Sequence, residues 1–262
     1  MPLFPESNES DELESKQLLE RFSNIDFANE STELKSESKQ LLERIKRTNN
    51  IDSVKQPRTL YSYMSESPPE GEVREASILF VNLYGVDRLT QHMKTATRVE
   101  LLNHFFEVMV TAIFENRGTL DKYIGSAIMA VFNSPLPLED HALMAIKTAL
   151  AMRDRLPDVN SHWFPDEQQP LTIGIGINTD QVFCGDVGSS KRMEFTAVGH
   201  GVNVANHLSQ QSPHYGCDIL IGQKTYQSCA ESIQVRERDS TQLKPEGTRF
   251  NVYELIGLLD AT

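Results

Sequence analysis

The chain has 262 residues, with 25 Lys and Arg against 37 Asp and Glu for a net charge of −12, and 39% of it is hydrophobic. This charge argues against nucleic acid or an anionic membrane as the main partner. No apolar run approaches the ~18 residues that span a bilayer, so no membrane span is expected. The acidic start, MPLFPESNESDELESKQ, lacks the layout of a secretory leader, and Cys184, Cys217 and Cys229 form no CxxC pair. A cytoplasmic protein with reduced thiols is the expectation.

Residues 1–56 are rich in Glu, Ser, Lys and Asn, with only small apolar clusters. Such a segment buries too little apolar surface to offset the entropy of ordering, which predicts a disordered or transiently helical arm. Within it the octapeptide ESKQLLER occurs twice, at Glu14–Arg21 and Glu37–Arg44. Leu18, Phe22 and Ile25 around the first copy, and Leu34, Leu41, Leu42 and Ile45 around the second, fall at helical spacing. Two readings fit: a duplicated solvated helix, or two copies of a partner-binding helix anchored by Leu18/Leu19 and Leu41/Leu42. A membrane-surface helix fits less well, because the polar face is not mainly basic. A Pro-containing linker over 57–74, with Pro68, Pro69 and Gly71, interrupts any continuing helix.

The domain that follows is expected over 75–258. ASILFVNL, from Ala76, is a continuous β-branched and aromatic run that predicts a buried strand. RVELLNHFFEVMVTAIFENRG pairs apolar residues every four positions and predicts a long helix, stopped by Gly118. TLDKYIGSAIMAVF predicts two short strands joined at Gly125, and EDHALMAIKTALAMRDRL a second helix. LTIGIGIN and DQVFCGDVG predict paired strands, GVNVANHLSQQ a third helix and TRFNVYELIGL a final strand. Interspersed strands and helices without a strict βαβ period predict an α+β fold with helices on one side of a sheet.

Four stretches in this order carry a family resemblance: ASILFVNLYGV, ELLNHFFEVMV through ALAM, LTIGIGIN through VNVANHLS, and QLKPEGTRFNVYEL. Together they resemble a class III nucleotidyl cyclase catalytic domain, the adenylate/guanylate cyclase family. The resemblance implies a ferredoxin-like α+β core and a head-to-tail dimer with nucleotide sites at the interface. It also implies two aspartates holding two metal ions, since Mg²⁺ takes hard anionic oxygens in near-octahedral geometry. At the two matching positions this chain has Asn82 and Ser126. The family's VNxAxR helix pairs an asparagine, here Asn203, with an arginine one turn on, where this chain has His207. A neutral imidazole cannot make the bidentate fork of a guanidinium to a phosphate.

Other positions match more closely. Lys122 stands where adenylate cyclases place a purine-reading lysine and Thr196 at its partner position, while Lys244 matches the first lysine of a phosphate-side loop whose second position is Glu246. For Lys122 and Lys244, solvated surface and ligand contact fit equally well, and the GSSKR turn at 188–192 reads as a plain hairpin. His200, His207 and His214 recur every seven residues, yet His214 follows Pro213 and is expected off the helix, so no metal site is predicted.

The expectation is therefore a pseudo-cyclase: a non-catalytic regulatory or scaffolding homodimer, with no resident cofactor, that contacts a protein partner through its N-terminal repeats. Two alternatives stay open. One is a purine-nucleotide sensor that holds ATP or GTP without tight metal, and the other a weak cyclase or half of a heterodimeric one.

Overall fold

The computed structural model of the protein describes residues 71–189, 192–242 and 249–259. Both octapeptides with Leu18, Leu19, Leu41 and Leu42, the linker up to residue 70, and Lys244 with Glu246 lie outside the described residues.

Strand β1 (Glu72–Tyr84) leads into a short helix α1 (Val86–Thr90) and the long α2 (Thr95–Glu115). Then come β2 (Thr119–Ile124), β3 (Ala127–Phe132), α3 (His141–Trp163) and β4 (Thr172–Ser189). The chain continues with β5 (Arg192–Val198), α4 (His200–Gln211), a 3-10 turn at Ser212–Tyr215, and β6 (Ile219–Gly222). It closes with α5 (Gln223–Cys229), β7 (Ile233–Gln242) and β8 (Arg249–Leu258). The sheet runs β2-β3-β1-β4-β6-β8-β7, with β5 paired to the far end of β4. This is the mixed α+β, sheet-dominated architecture expected from the sequence.

Strand β1 takes in residues 72–74, which the sequence reading assigns to the linker; Val73 pairs with Phe183 and Arg74 with Val182 of β4. Arg74 Nη1 also donates to the Asn133 carbonyl at 2.8 Å. LTIGIGIN and DQVFCGDVG are not partners of each other but halves of the single strand β4, whose pairing with β1 runs unbroken from Glu72↔Cys184 to Tyr84↔Thr172. The polar residues at its middle resemble a turn in sequence. Instead Asn178 donates to the Gly201 carbonyl at 3.2 Å, and Thr179 sits 2.7 Å from the Ser77 hydroxyl and 3.0 Å from that of Thr225.

Helices cover both faces of the sheet, not one. On the first face Leu79, Val81 and Leu83 of β1 and Ile173, Ile175 and Ile177 of β4 form a core with Leu101, Phe105 and Met109 of α2 and Ile146 of α3. Burying each of the large α2 side chains contributes about 1.5–3 kcal/mol. On the second face Ile78, Phe80, Met129 and Val182 meet Ala205 of α4. The alternation in TIGIGIN makes this possible. A Cβ on Gly174 would stand 2.4 Å from the Ser209 carbonyl oxygen, and one on Gly176 would stand 2.1 Å from that of Ala205. Only glycine lets α4 lie this close to the strand.

Two helix ends also differ from expectation. The left-handed residue closing α2 is Arg117 (φ 61°) rather than Gly118, which is needed because a Cβ there would meet the Phe132 ring at 2.6 Å. Helix α3 runs past Leu156 and through Pro157 to Trp163, while β6, α5 and β7 went unread in the sequence.

Candidate active site

The ends of β1 and β3 bring Asn82 and Ser126 to neighbouring strands. Asn82 lies opposite Ala127 of β3 on one side and Gly174 of β4 on the other. Its side chain points to the second face, under α4, where Asn82 Nδ2 donates to Ser209 Oγ at 2.6 Å. Ser209 in turn donates to the Asn206 carbonyl at 2.7 Å. A hydroxyl has one proton, so this arrangement fixes Ser209 Oγ as the acceptor and Asn82 as the donor. Tyr84, two residues along the same face, donates to the Ser209 carbonyl at 3.3 Å, and burial raises the pKa of its phenol.

Gly125, with φ 63°, turns β2 into β3 and sets Ser126 at the corner. Ser126 Oγ lies 3.5 Å from the Leu83 carbonyl, at the outer limit of a hydrogen bond. Beside it opens a cavity of about 530 Å³ lined by the β1–α1 loop, Arg88, Arg98 and Ser126. Of its lining residues Asp87 is the one acid, and it is paired with Arg98 at the surface.

Tested against the two metal ions that the resemblance implies, these residues do not fit. The two positions offer an amide, whose nitrogen is already committed to Ser209, and a neutral hydroxyl. Mg²⁺ exchanges its water for carboxylate or phosphate oxygens, and neither position supplies a formal charge.

Helix α4 carries Asn203, exposed on its surface, and His207, half-buried one turn later. Burial pushes the His207 pKa below its ordinary value, favouring the neutral ring. The imidazole therefore does not substitute for a cation at neutral pH. His214 lies in the 3-10 turn, off α4.

Lys122 and Thr196 come together from strands far apart in sequence. Thr196 Oγ1 donates to the carboxylate of Asp121, 2.9 and 2.8 Å from its two oxygens, and the Ala197 amide donates to Asp121 Oδ2 at 3.2 Å. Lys122 Nζ lies 3.4 Å from Asp121 Oδ1 and 3.7 Å from a Glu194 oxygen. The Asp121 side chain is only 3% exposed. Burial raises its pKa, and the Thr196 hydroxyl, the Lys122 ammonium and the Ala197 amide oppose that shift.

Asp121, Glu194 and Ser209 are the site neighbours that sequence reading missed. Strand alternation would turn Asp121 away from Lys122, and no local signal marks Ser209. The β2–β3 register shifts between Leu120 and Lys122, leaving Asp121 as an extra residue against β3. Such a bulge re-aims one side chain relative to its neighbours.

With this geometry in place, comparisons with known proteins identify the architecture. The family model for the adenylate and guanylate cyclase catalytic domain matches residues 69–257. An adenylate cyclase of Anabaena cylindrica is 34% identical over 189 residues, covering 70% of this chain and 37% of that protein. The chain thus spans well under half the length of the curated relatives it matches first, 28% and 37%. Among solved structures, the adenylyl cyclase CyaB from P. aeruginosa superposes with a TM-score of 0.67 at 25% identity, over 73% of this chain and 98% of that one. The guanylyl cyclase Cya2 superposes with a TM-score of 0.66 at 29% identity, over 73% and 96%. Among the described residues no helix is long and apolar enough to cross a membrane. The chain belongs to the adenylate and guanylate cyclase catalytic domain family.

Proposed function

We propose that this chain is a catalytically degenerate cyclase domain that acts in cyclic-nucleotide signalling as a non-catalytic, dimeric regulatory or scaffolding module. One observation carries the reading. Both positions where family members hold metal carboxylates have neutral side chains, and Asn82 is built into a hydrogen-bond chain with Ser209. The neutral His207 in the arginine position weakens transition-state stabilisation as well. Self-association is supported by an exposed apolar row across three strands, Val73, Phe183 and Val198, which are 68%, 36% and 48% exposed. The two ESKQLLER copies would contact a protein partner, with Leu18/Leu19 and Leu41/Leu42 as paired anchors whose combined avidity exceeds either alone. The direct test incubates purified protein with ATP or GTP in Mg²⁺ or Mn²⁺. No protein-dependent cyclic AMP or cyclic GMP is expected, and clear turnover refutes the proposal. Capture of a partner by the arm should be lost when all four leucines become alanine.

A second reading, retention of a purine nucleotide without turnover, is favoured by the Lys122–Asp121–Thr196 cluster, where two strands hold the base-reading positions together. ATP or GTP binding measured by calorimetry with and without Mn²⁺ tests it, and absence of heat in every combination refutes it. Lys244 would approach the phosphates of the same nucleotide.

A further inference from the structure

We propose that the hydrogen bond from Trp163 to His104 is a proton-sensitive latch on the connection between α3 and β4, and that protonation of His104 releases this connection from the wall of the cavity beside Ser126. The device is independent of whether the cavity holds a nucleotide.

The latch ties the end of α3 to the first half of α2. Trp163 Nε1 lies 2.9 Å from His104 Nδ1. An indole N–H can only donate, so Nδ1 must offer its lone pair and the ring proton must sit on Nε2. Only the neutral imidazole meets this condition. An imidazolium carries a proton on both nitrogens, so after protonation a donor faces a donor. His162 packs edge-on against both rings, with centroids 5.0 Å from His104 and 5.4 Å from Trp163. Two imidazolium charges that close repel each other. The other charged groups on the adjoining segments are Glu100 and Glu107 on α2, Asp158 on α3, and Asp166 and Glu167 in the connection. Arg155, two turns back on α3, is paired with Glu115. Carboxylates and guanidinium groups ordinarily keep their charge between pH 6 and 8, which leaves the two imidazoles as the groups that change.

The connection itself is held at few points. Asn160 closes its base, donating to the Leu171 carbonyl at 2.9 Å and accepting from the Leu171 amide at 2.8 Å. Residues 165–170 are exposed. Arg88 of α1 grips them from the other side: it donates to the Gln169 carbonyl and lies 3.5 Å from Glu167 Oε1. Arg88 is also part of the cavity wall. The strap is therefore tied to α2 through Trp163 and to the cavity through Arg88. With the latch closed, Glu167 and the Gln169 carbonyl occupy the Arg88 guanidinium. With it open, the strap loosens and that positive charge becomes available to the cavity.

The experiment follows hydrogen exchange of the full chain over residues 164–170 from about pH 5 to 8, corrected for intrinsic exchange, beside Trp163 fluorescence. The reporters are the amides of Phe164, Glu167 and Gln169, which donate to the Asn160 carbonyl, the Phe164 carbonyl and Glu167 Oε1. Far-ultraviolet dichroism checks the fold of each variant. As pH falls, protection in the parent should drop by roughly two- to twelvefold, the worth of one ordinary hydrogen bond. His104→Asn sets an amide oxygen near the Nδ1 position, where it accepts from Trp163 and takes up no proton. It should keep the neutral-pH protection and remove the step. Trp163→Phe removes the donor and should hold the segment at the acid level at every pH. His162→Gln removes the second imidazole and its direct effect on the indole, and should keep the exchange step. The remaining histidines, His141 included, are common to all variants and cancel. A bond with a merely structural role would change protection alike at every pH. A parent without a step, a step that persists in His104→Asn, or neutral-pH protection in Trp163→Phe equal to the parent's overturns the proposal. Should His104→Asn fail to fold, the parent and Trp163→Phe decide the question between them.

Discussion

Restoring acids with Asn82→Asp and Ser126→Asp together should convert a metal-indifferent domain into one whose stability depends on Mn²⁺. Because Asn82 faces Ala127 directly, residue 126 is one step along the adjacent strand. With strands ~4.8 Å apart, two carboxylates there stand on the order of 6 Å from each other and repel by about 3 kcal/mol at an effective dielectric near 20. Ser209 would also have to turn its proton from the Asn206 carbonyl to the new acid. For a domain of about 190 residues, each kcal/mol shifts the melting temperature by roughly 2–4 °C. In EDTA the double variant should therefore melt about 6–12 °C below the parent. Mn²⁺ at ~100 times its dissociation constant stabilises the folded state by about 2.7 kcal/mol, or roughly 5–11 °C. Melts followed through Trp163, the single tryptophan, read the gap between EDTA and Mn²⁺. The parent should show none. A parent that shifts as far as the variant, or a variant that shifts no further than the parent, would refute the assignment of positions 82 and 126 as a degenerate metal pair.

Gly176→Ala should displace α4, because its Cβ would lie 2.1 Å from the Ala205 oxygen and 2.3 Å from the Ser209 nitrogen, both backbone atoms that cannot swing aside. A loss of about 1–3 kcal/mol or more is expected in a chemical melt, against near-neutral Gly257→Ala, which meets nothing within 4 Å; equal effects would refute the packing account. His141 is buried with Nδ1 2.9 Å from Ser77 Oγ, and burial lowers its folded pKa below 6.5 despite Glu75 and Asp140, with Lys224 adding to the shift. The unfolded chain thus takes up the His141 proton first as pH falls. Stability should decline below pH 6.5 until the folded pKa is passed, and His141→Leu should flatten that decline; an unchanged slope by pH-dependent denaturation counts against it. Phe183→Glu places a charge in the exposed apolar row and should shift sedimentation of the full chain from dimer toward monomer, whereas an undisturbed dimer would move the interface elsewhere.

Much of this was legible in the sequence, because it depends on local periodicity or residue identity. The four-residue recurrence from Leu101 to Ile113 specifies the buried stripe of α2, and the β-branched run of β1 specifies a strand buried on both faces. The neutral residues at 82, 126 and 207 are plain in the one-letter code. What only the tertiary structure decided involves partners distant along the chain. The continuity of β4 through Thr179 follows from hydrogen bonds to Ser77 and Thr225, residues 102 and 46 positions away. The second helical layer exists because Gly174 and Gly176 receive the backbone of α4, a close approach invisible until the helix is placed. Asn82 is held by Ser209, 127 residues on, and the Asp121 carboxylate by Thr196, 75 residues on. A strand's alternation states which face a side chain takes, but a bulge changes that face at one residue, and long-range pairing decides what the side chain then meets.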